Sequence, residues 1–68
     1  MKVVGVLLIE PDPIRCRGLR FYLEREADVR LLGAGAEPRQ ALEGAPQGSK
    51  VDVILVDADA YESSRMRF

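Results

Sequence analysis

Residues 3–13 read Val3-Val4-Gly5-Val6-Leu7-Leu8-Ile9-Glu10-Pro11-Asp12-Pro13, and their order decides the fold. A continuous apolar run rich in β-branched side chains that stops abruptly at an acid and a proline is the pattern of a strand buried on both faces. Asp12-Pro13 then supplies an oxygen acceptor for a helix N-cap, followed by proline at the first helical position, where its missing N–H costs nothing. A buried strand therefore passes almost directly into a helix. Lys2 ahead of the apolar run raises the question of a secretory leader. The run is about the minimum length for one, and Glu10-Pro11-Asp12 stands where small residues would mark a cleavage site, so the strand reading is preferred.

Beyond Pro13, Leu19, Tyr22, Leu23 and Ala27 recur at helical spacing as an inward face, with Gly18 expected to permit close approach on the same side. Arg17, Arg20 and Glu24 gather on the other side, where Arg20 and Glu24 form a pair of opposite charges four residues apart. Arg15 falls within the apolar arc and must snorkel or pair. Residues 29–34 make a second, shorter strand interrupted by Arg30, after which Gly33 and Gly35 loosen the chain. Glu37-Pro38 starts a short helix that carries Ala41 and Leu42 inward, and Gly44-Ala45-Pro46-Gln47-Gly48-Ser49 reads as its end and a loop. Val51-Asp52-Val53-Ile54-Leu55-Val56-Asp57 is a third buried strand that ends on a carboxylate. Residues 58–68 show no clear period. Strand, helix, strand, helix, strand is the order of an α/β fold: a three-stranded parallel sheet, order 2-1-3, with right-handed crossover helices.

The chain has 68 residues, enough for one domain, and a domain of this size buries only about 60% of its unfolded surface. Apolar residues at 47% and charged residues at 31% exclude the disordered class, and no run approaches the roughly 18 apolar residues of a membrane span. Ten Lys and Arg against eleven Asp and Glu leave a net charge of -1, which gives no electrostatic case for binding nucleic acid or an anionic membrane. With no His, imidazole chemistry is excluded, and a single Cys makes neither an internal disulfide nor a Cys-based zinc site, which fits a cytoplasmic setting.

In a parallel sheet, ligands bind beyond the carboxyl ends of the strands, where the winding reverses. Glu10 follows the first strand and Asp57 follows the third, so the predicted strand order brings two acids to neighbouring ends about 4.8 Å apart. Hard oxygen donors in that number suit magnesium, which takes one or two protein carboxylates together with waters and a phosphate. A carboxylate beside such an ion can accept a phosphoryl group, and Asp57 is the candidate nucleophile. The plainer reading is that acids at strand ends solvate the sheet edge; two on facing ends raise metal binding to equal weight. Asp12 is a further oxygen donor nearby, for which the N-cap role is favoured over a metal role.

Taken together, residues 6–13, Arg17-Gly18-Leu19-Arg20, Leu23-Glu24, Ala27-Asp28-Val29 and residues 51–57 resemble the response-regulator receiver domain of two-component signalling, in the subgroup whose members often carry a C-terminal helix-turn-helix. The resemblance spans residues 3–61 and covers the first half of that flavodoxin-like domain, so the chain is expected to be one partial receiver domain, 1–68. It implies that a histidine kinase or phosphotransfer protein phosphorylates Asp57 and that Glu10 belongs to an acidic pair holding magnesium together with Asp57. It also implies a role in phosphorelay signal transduction rather than turnover of a metabolite. The sequence departs from the pattern at Pro11, where the family usually has its second acid, and at Ala60-Tyr61, where Met-Pro is common. A module of this kind that holds only the first half would expose one side of residues 53–56 as an open edge. The expectation is then a fragment, or pairing with a second copy or a partner protein, and an alternative function as an interaction or dimerisation module that is never phosphorylated.

Asp57-Ala58-Asp59-Ala60 also resembles the first motif of haloacid-dehalogenase-type phosphotransferases, with Asp57 as nucleophile and Asp59 as acid-base group. That family places the motif on an early strand, so a solvent-facing role is preferred for Asp59. Gly33-Ala34-Gly35 near a helix start lacks the third glycine of the dinucleotide fingerprint, and Pro38 removes an N–H donor, which makes it a flexible turn. Cys16 reads as a small packing residue, and Arg65 and Arg67 as part of a solvated tail.

Overall fold

The computed structural model describes residues 2–57 and comprises β1 (Val4–Ile9), α1 (Pro13–Glu24), β2 (Val29–Gly35), α2 (Pro38–Gly44) and β3 (Val53–Val56). The strands form one parallel sheet in the order β2-β1-β3, joined by the two crossover helices. This is the α/β architecture expected from the order of the elements. The expectations for Asp59, Ala60-Tyr61, Arg65, Arg67 and the rest of 58–68 lie outside the described residues.

β1 occupies the centre, and five of its six residues are buried. Leu7 and Ile9 point to one face, where they cluster with Leu32, with Ala41 of α2 and with the partly buried Ala45, Val51 and Val56. Val6 and Leu8 alternate to the opposite face. A strand whose side chains find cover on both sides needs no polar alternation, which is why residues 4–9 read as an uninterrupted apolar run.

Gly33 and Gly35 do not loosen the chain. Both lie within β2, paired with Leu7 and Ile9, at the place where α2 comes closest to the sheet. A Cβ on Gly33 would fall 2.0 Å from the Ala41 carbonyl oxygen, and one on Gly35 would fall 2.6 Å from Gln40 Cβ. The flexible turn expected there is thus a strand pressed against a helix backbone. Leu32, between Val6–Leu31 and Leu7–Gly33 in the ladder, is the extra residue of a bulge and turns into the core. The loop after α2 closes as expected: Ser49 N–H donates to the Pro46 carbonyl oxygen and Gly48 takes φ 83°, the conformation that the third residue of a type II turn requires.

Three expectations about burial are corrected. Leu42 is 55% exposed, because Ala41 holds the face of α2 that meets the sheet and the next residue is rotated about 100° away. On α1 the packing line runs through half-buried Cys16 and Leu23, seven residues apart; Tyr22 is exposed, Leu19 lies on the flank and Gly18 faces open space. Ala27 lies beyond the end of that helix. The third strand is not buried either: Val53, Ile54 and Leu55 are 39–41% exposed, because β3 lies at the sheet edge and both helices pack chiefly over β2 and β1. Asp52 secures this edge strand at its start. Its carboxylate accepts from Gly5 N–H at 2.8 Å while its own N–H donates to the Gly5 carbonyl oxygen at 2.8 Å.

Gly33→Ala is expected to lower the unfolding free energy by about 1–3 kcal/mol, since α2 must lift from the sheet to admit one methyl group. Leu42→Ala, on the outer face of the same helix, should change it by less than about 0.5 kcal/mol. Urea unfolding followed by circular dichroism measures both, and a larger effect at Leu42 than at Gly33 would contradict the packing described here.

Candidate functional site

The carboxyl-terminal rim of the sheet assembles the residues singled out by sequence. Ile9 pairs with Val56 at the end of the β1–β3 ladder, and the ladder continues one step further as Asp57 N–H donates to the Ile9 carbonyl oxygen at 3.2 Å. On the other side, Glu10 N–H donates to the Gly35 carbonyl oxygen at 2.9 Å. Glu10 and Asp57 are thus adjacent in register, on the same rim. Since Ile9 and Val56 face α2, alternation directs the next residue of each strand to the opposite face, the one that carries α1.

Glu10 is buried, and its Oε2 accepts from Asp12 N–H at 3.0 Å. A buried carboxylate needs such a donor to offset lost hydration. Asp12 fulfils the N-cap role: Oδ1 accepts from Ile14 N–H at 2.9 Å and from Arg15 N–H at 3.2 Å. Its Oδ2 lies 3.7 Å from Arg15 Nη2.

Arg15 connects the two ends of the rim. Its Nη1 donates to Asp57 Oδ2 at 3.2 Å, across 42 positions of sequence, while the same guanidinium faces Asp12. The Asp57 side chain is 16% exposed and that of Arg15 is 63% exposed, so the acid is sheltered and the cation reaches it from solvent. The need for Arg15 to pair was legible from its place in the apolar arc. Its partner was not, because nothing local in the sequence joins position 15 to position 57.

Magnesium, which the receiver resemblance implies, would take its protein oxygens from Glu10 and Asp57. Two carboxylates on one rim match the number that this ion commonly draws from a protein. Asp12 adds little, since both of its oxygens face other partners, and among the described residues no group of three or more His, Cys, Asp or Glu side chains is placed to hold a metal ion.

Next to this rim, α1 and the end of β2 enclose an open groove of about 610 Å³, lined by Glu10, Cys16, Arg17, Arg20, Phe21 and Ala34 among others. Arg20 pairs with Glu24 at 3.8 Å, as the spacing predicted, and Cys16 is half-buried as a packing residue. No described helix is long and apolar enough to cross a membrane.

Comparison with protein-family models, with curated proteins and with solved structures yields no match for this chain. What is established is a small α/β domain with a three-stranded parallel sheet in the order 2-1-3.

Asp12→Ala should cost about 1 kcal/mol through loss of the helix cap, whereas Asp12→Ser, which restores an acceptor, should recover most of it. Thermal or urea unfolding measures both; equal losses for the two variants would show that the cap hydrogen bonds carry no stability.

Proposed function

We propose that this domain is a receiver-type module of phosphorelay signalling, in which Asp57 accepts a phosphoryl group from a histidine kinase or phosphotransfer protein. The observation that carries the reading is the pairing of Ile9 with Val56, which sets Glu10 and Asp57 side by side at the carboxyl ends of adjacent parallel strands. In the proposed step, an Asp57 carboxylate oxygen attacks the phosphorus of a donor phosphohistidine. The phosphorus–nitrogen bond breaks, the electron pair leaves with the donor imidazole, and an acyl phosphate forms on Asp57. Magnesium held by Glu10 and Asp57 would neutralise charge on the phosphoryl oxygens.

The chain's own residues supply the rest. Arg15 fixes one Asp57 oxygen and brings positive charge to the place where the phosphoryl oxygens would arrive. The Asp12 N–H holds the Glu10 carboxylate at the rim. In this reading the module changes state once per phosphorylation and turns over no metabolite, consistent with a cytoplasmic signalling role.

A second reading, a module that binds a partner or a second copy through its sheet edge and is never phosphorylated, is favoured by one observation. Val53, Ile54 and Leu55 present apolar surface along the β3 edge, and edges of this kind are prone to pairing with another strand.

Incubation with magnesium and a small acyl phosphate, followed by intact-mass measurement, separates the two. The proposal predicts a single phosphoryl adduct on the wild type and none on Asp57→Ala. An unmodified wild type that sediments as a dimer would favour the second reading instead.

A further inference from the structure

We propose that Arg15 is a resident counter-cation of Asp57, a tethered positive charge standing where a divalent ion would otherwise bind, so that this side chain sets the domain's affinity for divalent cations. The inference rests on the proposed reading only in taking magnesium as the competing ion; the contact that carries it is independent of phosphorylation.

Three observations combine. Arg15 Nη1 donates to Asp57 Oδ2 at 3.2 Å, so the Asp57 carboxylate already holds a cationic donor on one oxygen. The second arm of the guanidinium faces Asp12 Oδ2 at 3.7 Å, so one cation serves two of the three acids near the rim. The Asp57 side chain is largely sheltered, and there a charge-assisted contact is screened less than at an open surface. Arg15 is held in place at its own backbone as well, because its N–H donates to the Asp12 cap. The guanidinium thus starts from the first turn of α1, next to the strand end it neutralises. A divalent ion entering between Glu10 and Asp57 must either displace this group or bind within a few ångströms of it.

Magnesium titration by isothermal calorimetry at low ionic strength tests the proposal, using the wild type, Arg15→Ala, Arg15→Lys and Arg30→Ala. Removing a unit positive charge within about 5 Å of a divalent site should tighten binding by about tenfold or more, so Arg15→Ala is expected to bind magnesium at least that much better than wild type. Arg15→Lys, which keeps a charge at the same position, should stay near the wild-type affinity. Arg30→Ala removes the same formal charge from the start of β2, where Arg30 pairs with Gly5 at the opposite end of the sheet from the rim, and it should leave the affinity within about threefold of wild type. Adding Asp57→Asn to Arg15→Ala should abolish the gain.

Equal affinity in wild type and Arg15→Ala, the absence of binding in both, or an equal gain from Arg30→Ala would overturn the proposal. The outcome is separable from that of the phosphoacceptor reading. Tight magnesium binding by Arg15→Ala without any phosphoryl adduct would defeat that reading and leave the role of Arg15 standing. An adduct with no effect of Arg15 on magnesium affinity would do the reverse.

Discussion

The parallel pairing of β1 with both of its neighbours is the constraint on which everything else rests. β1 gives its backbone to two ladders and its side chains to two faces, so five consecutive residues from Gly5 to Ile9 are removed from water. Burial at this density in so short a chain leaves little freedom in register, since a slip of one residue would exchange the faces of Leu7 and Ile9 with those of Val6 and Leu8. The same register fixes the rim. Once Ile9 lies beside Val56 and Gly35, Glu10 and Asp57 have no independent choice of position. The placement of the rim is a by-product of core packing, and the core is in turn closed by the approach of α2 to Gly33 and Gly35.

The rim concentrates negative charge, and the structure manages it through short-range contacts. Glu10 turns to the Asp12 N–H, Asp12 turns to the first turn of α1, and Asp57 meets Arg15. The three acids are thereby linked through one backbone N–H and one guanidinium. A helix N-terminus is a favourable place for negative charge, because its unpaired N–H groups point outward. α1 therefore serves the rim in two ways, with its backbone at Asp12 and with its side chain at Arg15. The arrangement also explains why an arginine is tolerated within the apolar arc of α1: its side chain is largely exposed and its head reaches Asp57 at the strand end.

Much of the fold was legible in the sequence for a physical reason. Residues 3–9 and 53–56 are apolar without interruption, Asp12-Pro13 and Glu37-Pro38 mark helix starts, and Gly48 marks a turn; each signal is local, and each reports a local constraint. The less legible features are set by distant contacts. Gly33 and Gly35 resemble a loop in sequence, and only the approach of Ala41 and Gln40 shows why no side chain fits there. Leu42 and Tyr22 belong to apolar arcs yet face solvent, because α2 meets the sheet through Ala41 and α1 through Cys16 and Leu23, and their neighbours in sequence are rotated away from those lines. At the rim, the positions of Glu10 and Asp57 followed from strand order alone. The Arg15–Asp57 contact depended on how α1 sits against the sheet, and the periodicity of the helix does not encode that rotation.

The hydrogen bond from Asp57 N–H to the Ile9 carbonyl is the contact that places the two acids side by side, and solution NMR can observe it directly as a scalar coupling across the hydrogen bond. The account predicts a correlation between the Asp57 amide nitrogen and the Ile9 carbonyl carbon, accompanied by one between the Glu10 nitrogen and the Gly35 carbonyl carbon. Correlations shifted to other carbonyls, or an Asp57 amide that exchanges as freely as an unfolded chain, would contradict it.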